Sequence, residues 1–205
     1  FLRWRLLRTP LRWALSNLVF WDGRDLLQRY ANFVEITNGK DQTKVFEQVR
    51  ARYPLSTRFV VLPMDMEFMG AGVVPRSLDA QHQELAQLRD RYPDAIIPFV
   101  AVDPRRENLP ALVEKWVGQR GFKGIKIYPN LGFTPSDPRL DAVWSYAAKN
   151  NLPVMTHCSR GGVRQRGLKK SDVNRFNGPS KYLAVLEKFP RLRLCLAHFG
   201  GQDDW

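Results

Sequence analysis

Two stretches decide how this chain folds: Leu152-Pro-Val-Met-Thr-His157-Cys158 and Leu192-Arg-Leu-Cys-Leu-Ala-His198-Phe-Gly-Gly201. Each is a short apolar run that closes on a histidine and then turns. Runs of that length, bounded by turn signals, are the pattern of parallel strands buried in a sheet. Between them, Ser180 to Lys188 reads as a helix, so the pair forms a strand–helix–strand unit. Neighbouring parallel strands lie about 4.8 Å apart. Two histidines at the same ends of such strands converge on one small ion if both project inward. Alternation puts Pro153, Met155 and His157 on one side of their strand, and Leu194, Leu196 and His198 on one side of theirs. Both histidines are therefore expected to close off an apolar interior.

Upstream the same unit repeats. Phe59 to Met64 reads as a strand, Asp79 to Arg91 as a helix with Leu85 and Leu88 inward, and Ala95 to Val102 as a second strand. Asn108 to Gln119 is a helix with Leu112, Val113 and Trp116 on one face, and Gly124 to Tyr128 a third strand. Asp137 caps a helix whose first position is Pro138, with Ala142, Val143, Tyr146 and Ala147 as its apolar stripe. Strands alternating with helices at this spacing make parallel βα units. No Gly-x-Gly-x-x-Gly follows the first strand, so the dinucleotide signal of an open sheet is missing. Asp65, Asp103, Lys126, His157 and His198 all fall at or near the C-terminal ends of their strands, where barrel enzymes keep their chemistry. The fold class is α/β, and the barrel is favoured over the open sheet.

Residues 1–55 read differently, as helices. Leu11, Leu15, Leu18 and Val19 recur at helical spacing, and Asp41 is an N-cap candidate for a helix to about Tyr53 with Val45, Phe46 and Val49 as its stripe. Leu11 to Phe20 falls short of the roughly 20 apolar residues of a membrane span, so no transmembrane segment is expected. It reads as a helix covering a core rather than one lying in a membrane interface.

With 205 residues, 44% hydrophobic and 25% charged, the chain can bury a sizeable core. The net charge of +12 is concentrated in Arg3, Arg5, Arg8 and Arg12, and in the run from Arg160 to Lys181, where Asp172 is the one acid. Neither segment carries a nucleic-acid reading motif, so both read as solvated basic faces and no nucleic acid is expected. Cys158 and Cys195 make no disulfide framework. Reduced thiols suit a reducing compartment, and a cytoplasmic location is expected.

His157 and His198 are the candidate metal ligands, neutral imidazole being the commonest nitrogen donor to zinc. Lys126 stands between Ile125 and Ile127. Facing inward it is a buried amine for a substrate carboxylate, or for a metal once carbamylated; facing outward it snorkels between helices. Asp65 and Asp103 either orient a substrate or cap the turns that follow them. His82, between Gln81 and Gln83, reads as solvent-facing. The connection from Ser159 to Ser180 is long beside the usual 2–6 residues or so of a βα loop. Arg160 and the cluster from Arg164 to Lys170 suit an anionic substrate, or else form a basic excursion.

Gly121-Phe-Lys-Gly-Ile-Lys-Ile-Tyr-Pro129, Pro153-Val-Met-Thr-His157-Cys158 and Leu186-Glu-Lys-Phe-Pro-Arg-Leu-Arg-Leu-Cys-Leu-Ala-His198-Phe-Gly-Gly201 together resemble the amidohydrolase-related family. This branch of the amidohydrolase superfamily includes aminocarboxymuconate semialdehyde decarboxylase and resorcylate-type decarboxylases beside many hydrolases. The resemblance runs from about Arg58 to the end. It implies a distorted (β/α)8 barrel with one divalent metal ion, often zinc. A His-x-His pair on the first strand supplies two ligands in that family, and an aspartate after the eighth strand acts on the substrate or the metal-bound water. His157 then matches the fifth-strand ligand, His198 the sixth-strand ligand, and Lys126 the fourth-strand position that some superfamily members carbamylate.

By that count strands two to six are present and the first and last are missing. Residues 56–205 are expected to form an incomplete metal-dependent hydrolase barrel, and 1–55 a helical insertion or N-terminal helical segment. No His-x-His precedes Arg58, and the expected aspartate lies outside this chain. The chain therefore reads as an interior fragment, inactive and poorly soluble alone. The implied reaction is attack of a metal-activated water on a carbonyl-type substrate, with Lys126, Arg160 and Asp65 contacting a small, anionic molecule. The runner-up is non-oxidative decarboxylation of an anionic aromatic or muconate-like acid. The reading from another class is a non-catalytic basic binding domain with structural histidines. A homo-oligomer stays open.

Overall fold

Five strands carry the architecture: β1 (Phe59–Val61), β2 (Ile96–Val102), β3 (Gly124–Ile127), β4 (Pro153–Ser159) and β5 (Arg193–Gly200). The computed structural model describes residues 41–201, so the N-terminal basic helices expected before Asp41 lie outside the described residues. The strands stand in the order β1-β2-β3-β4-β5, and every neighbouring pair is parallel. A doubly wound sheet reverses direction at a switch point. Here each crossover advances by one strand, which is the winding of a (β/α)8 barrel, and the chain forms part of one.

The helices are numbered in chain order, the first preceding the sheet and the others following its strands. The chain divides into two compact units, residues 1–57 and 58–205. In the first, α1 (Gln42–Arg50) starts where expected, because the Asp41 carboxylate accepts from the Thr43 N–H at 2.7 Å. It ends at Arg50, short of Tyr53, and Phe46 is its buried residue.

In the second unit, α2 (Leu78–Arg91) is capped by the Ser77 hydroxyl. The helix expected over Asn108 to Gln119 is α3 (Leu109–Val113) continued by a π-helical stretch, Glu114–Gln119, that carries the fully buried Trp116. Asp137 caps a 3-10 turn, Pro138–Leu140, that leads into α4 (Asp141–Lys149). Between β4 and β5 the chain makes α5 (Asn174–Asn177), a 3-10 turn at Pro179–Tyr182 and α6 (Leu183–Lys188). Among the described residues no helix is long and apolar enough to cross a membrane.

Register sorts the strand residues onto two faces. Val100, Ile125 and Val154 form one row across the sheet, each with no measurable exposure, and helix residues Leu85, Trp116 and Ala147 are equally buried. Each of the larger side chains contributes about 1.5–3 kcal/mol of burial. Ala101, Lys126, Met155 and Cys195 form the adjoining row on the other face, the interior of the barrel. One step towards the strand N-termini, Phe99 lies opposite Gly124, and a side chain at Gly124 would overlap the Phe99 ring. A single aromatic ring thus fills the interior floor, which requires glycine opposite it.

His82 corrects the expectation of a solvent-facing side chain. It is fully buried, and its Nε2 accepts from the Ala101 N–H at 3.0 Å. β1 ends at Val61, opposite Pro98, so the Ala101 amide has no strand carbonyl beside it. α2 supplies the missing acceptor from a side chain. His82 lies on the same helical stripe as Leu78, Leu85 and Ala86, all buried.

Candidate functional site

Parity along β5 does not by itself bring the two histidines together. Val154 pairs with Leu194 and Met155 with Cys195, so the interior side of β5 carries Cys195 and Ala197 rather than Leu194 and Leu196. The expectation that Leu194 and Leu196 line the interior beside His198 is therefore wrong. The correction comes from a bulge. His157 pairs with Ala197, but Ser159 pairs with Gly200, so β5 spends one extra residue over this step. His198 and Phe199 take left-handed φ values of 70° and 48°, a conformation costing non-glycine residues roughly 1–2 kcal/mol each. At this bulge His198 is exposed, and its ring centre lies 4.9 Å from that of His157 at 66° between planes.

His157 is buried. Its Nε2 lies 3.0 Å from the Gly161 carbonyl oxygen. A carbonyl can only accept, so Nε2 carries the hydrogen and the lone pair is on Nδ1. Burial holds its pKa down at about 4, against the pull of the Gly161 carbonyl, and the nearby His198 and Lys126 act in the same direction as burial. The ring is thus neutral at pH 7, the form that binds metal ions.

Two imidazoles sharing one zinc at about 2.0–2.1 Å and a tetrahedral angle hold their ring centres about 5 Å apart. The observed separation of 4.9 Å fits that arrangement. A catalytic zinc takes about three protein ligands. Among the described residues no group of three or more His, Cys, Asp and Glu side chains stands together to hold an ion. The pair suits a divalent cation in donor type and ring spacing, and two donors are fewer than a catalytic zinc takes.

Around this pair, Tyr128 was not singled out by its sequence, although it shares alternation with Lys126. Its ring lies 4.5 Å from His157, and the Lys126 ammonium sits 5.5 Å from its centre. Lys126 faces the interior, 5% exposed, and burial lowers its pKa to about 8. It lines a cavity of about 10 Å³ with Asp65, Ala101, Asp103 and Tyr128, room for about one water. Gly162 adopts φ +81°, and a Cβ there would meet the Tyr128 hydroxyl at 2.5 Å and His157 Cε1 at 3.3 Å.

Asp65 and Asp103 reach the same rim already partnered. Both oxygens of Asp65 accept from Arg106, at 2.7 and 2.8 Å, and both of Asp103 from Arg105, at 2.8 and 2.6 Å. Each also caps its turn, through the Glu67 and Arg105 amides. The two guanidinium groups stack on Phe68, at 4.4 Å for Arg105 and 5.3 Å for Arg106. Asp65 therefore enters the site as half of an ion pair. Arg160 directly follows β4, is half-buried and does not line the cavity.

The long β4–α5 connection is built rather than loose. The Gln165 N–H donates to the Asn130 carbonyl at 3.0 Å, and the Arg166 N–H to the Met69 carbonyl at 2.7 Å. Behind the sheet, the Thr156 and Tyr182 hydroxyls lie 2.5 Å apart and Cys158 Sγ donates to the Asn177 carbonyl. Thr156 and Cys158 thus point at the helices, which leaves Met155 and His157 to the interior.

The solved structures that the chain matches are distant in sequence. An uncharacterised TIM-barrel protein from Bordetella bronchiseptica matches at 19% identity and a TM-score of 0.48, over 57% of this chain and 40% of its own. 4-Oxalomesaconate hydratase from Rhodopseudomonas palustris matches at 16% identity and a TM-score of 0.49, over 75% of this chain and 47% of its own. An amidohydrolase from Mycobacterium avium subsp. paratuberculosis matches at 16% and 0.43, over 78% of this chain and 49% of its own. The chain thus spans less than half the length of these proteins. No curated protein sequence matches it. The amidohydrolase family profile matches residues 47–205, most of the chain, and the protein belongs to the amidohydrolase family.

Proposed function

We propose that this chain forms part of a metal-dependent hydrolase in which His157 and His198 hold a divalent cation, zinc by donor type. The observation that carries the reading is the pair of imidazoles 4.9 Å apart at the ends of β4 and β5. A bound ion there supplies Lewis acidity and lowers the pKa of its water to about 7. His157 presents Nδ1 because its other nitrogen is held by Gly161. Lys126, buried beside Tyr128, brings positive charge that burial shields from water. That suits a small substrate bearing a carboxylate, with Arg160, directly after β4, as a second cation. Asp65 acts through the Arg106 guanidinium that it holds.

Calorimetric titration of the whole protein with zinc tests the ligand assignment. His157→Ala and His198→Ala should each weaken binding at least tenfold, with circular dichroism unchanged. Zinc affinity that survives the double substitution would end the reading. Turnover of carboxylate-bearing amides or esters should vanish on chelation and return with zinc; turnover indifferent to chelators would overturn the metal-dependent mechanism.

A further inference from the structure

We infer that Asn130 is a positioning residue, which fixes the tautomer of His157 by clamping the Gly161 carbonyl, and that Asn177 holds Asn130 in that role. The inference rests on the metal-ligand reading of His157 for its purpose, but its geometry stands alone. Asn130 lies in the 3-10 turn Pro129–Leu131 after β3, and Asn177 ends α5. Both side chains are fully buried.

The amide nitrogen of Asn130 donates to two carbonyls, Ser159 at 3.2 Å and Gly161 at 3.0 Å. A primary amide has two hydrogens, so each carbonyl takes one. The amide nitrogen of Asn177 likewise serves two acceptors, Asn130 Oδ1 and the Ser159 carbonyl, the latter at 2.6 Å. The orientation of both amides follows from their partners. Backbone carbonyls cannot donate, so the nitrogen of Asn130 must face them, and its oxygen is then left facing the Asn177 nitrogen. The Gly161 oxygen has two lone pairs. One takes Asn130 and the other takes His157 Nε2–H at 3.0 Å.

This arrangement matters because the turn after β4 is glycine-rich, with the Gly161 N–H donating to Ser159 Oγ at 3.1 Å and its carbonyl left to the clamp. It contains Gly161 and Gly162, the second with a left-handed φ of 81°, and glycine imposes no preference of its own. A carbonyl free to swing away would leave Nε2 unpaired, and the imidazole could move its hydrogen to Nδ1. The lone pair would then lie on Nε2, facing the turn. Outer partners that orient a metal-binding histidine are worth about 10–100-fold in metal affinity.

The test uses long-range proton–nitrogen correlation spectra of the full chain, which has three histidines. Wild type should show His157 as the Nε2–H tautomer. Asn130→Asp, which presents carboxylate oxygen to the two carbonyls, should give a mixed or Nδ1–H pattern and a zinc affinity about 10–100-fold weaker. Cys158→Ala, which touches Asn177 but not the clamp, should leave the tautomer unchanged. An unaltered tautomer in folded Asn130→Asp would overturn the inference even if zinc binds. A shifted tautomer with no zinc binding in wild type would instead uphold the clamp and end the metal reading. If Asn130→Asp does not fold, wild type still decides: a predominant Nδ1–H tautomer, or Asn130 amide protons that exchange as fast as those of an exposed asparagine, would overturn the inference.

Discussion

Acid should unfold this protein through His82. The side chain is fully buried, accepts from the Ala101 amide through Nε2, and therefore carries its hydrogen on Nδ1. Among the described residues Nδ1 has no hydrogen-bond partner, and the rings of Trp116 and Phe122 stand 5.0 and 5.8 Å away. Protonation would destroy the acceptor and place a charge among aromatic rings. Burial is the main reason its pKa falls from 6.5 to about 4; Lys115 and Arg106 push the same way, and Asp79 and Asp65 oppose them. The unfolded chain binds this proton below about pH 6.5, whereas the folded chain resists until about pH 4. The stabilisation is complete above 6.5 and is lost as pH falls through that window. At about 1.4 kcal/mol per pH unit, the loss is on the order of 3 kcal/mol. Urea unfolding at pH 7, 5.5 and 4.5 measures it. His82→Gln is the comparison, because its amide oxygen can replace Nε2 as acceptor without titrating. The wild type should lose more stability than the variant by about that amount. Parallel pH dependences would refute the reasoning, since His157, with the same pKa direction, acts equally in both proteins.

Three further outcomes follow from the same geometry. Lys126→Met should raise stability at pH 7 by about 1–3 kcal/mol, because burial lowers the Lys126 pKa to about 8 and the folded state bears the cost of its charge; the gain should shrink above pH 8, as urea titrations at pH 7 and 10 would show. Gly162→Ala should cost about 1–3 kcal/mol through its left-handed φ and its approach to Tyr128, and adding Tyr128→Phe should recover part of the loss in a double-mutant cycle. Tyr182→Phe should cost about 1 kcal/mol by removing the hydroxyl 2.5 Å from Thr156, read from the denaturation midpoint.

Much of the fold was legible because its signals are local. The alternation of short apolar runs with helical stripes from Phe59 onward placed all five strands, and strand ends placed His157 and His198. What escaped depends on partners distant in sequence or on backbone with no compositional mark. Asn130 and Asn177 are 47 residues apart, and nothing between them announces the pairing. The arginine partners of Asp65 and Asp103 lie side by side after β2, yet which takes which depends on the sheet. His82 was readable: Leu78, His82 and Leu85 follow the helical stripe, and its glutamine neighbours obscured it. The bulge at His198 was not, since two non-glycine residues at positive φ leave no trace in composition.

That bulge makes the site a matter of counting. A strand repeats every two residues, so the side of the sheet a residue faces is set by how many residues precede it. Removing Phe199 would leave every remaining side chain chemically intact and let β5 pair without its irregularity. His198 would then fall opposite Cys158, on the side covered by helices. Substitution scans, which preserve length, probe this dependence poorly. Single-residue deletions and insertions across residues 197–201 would show it directly, with one intolerant step at the bulge and a phenotype in metal affinity unrelated to which amino acid was lost.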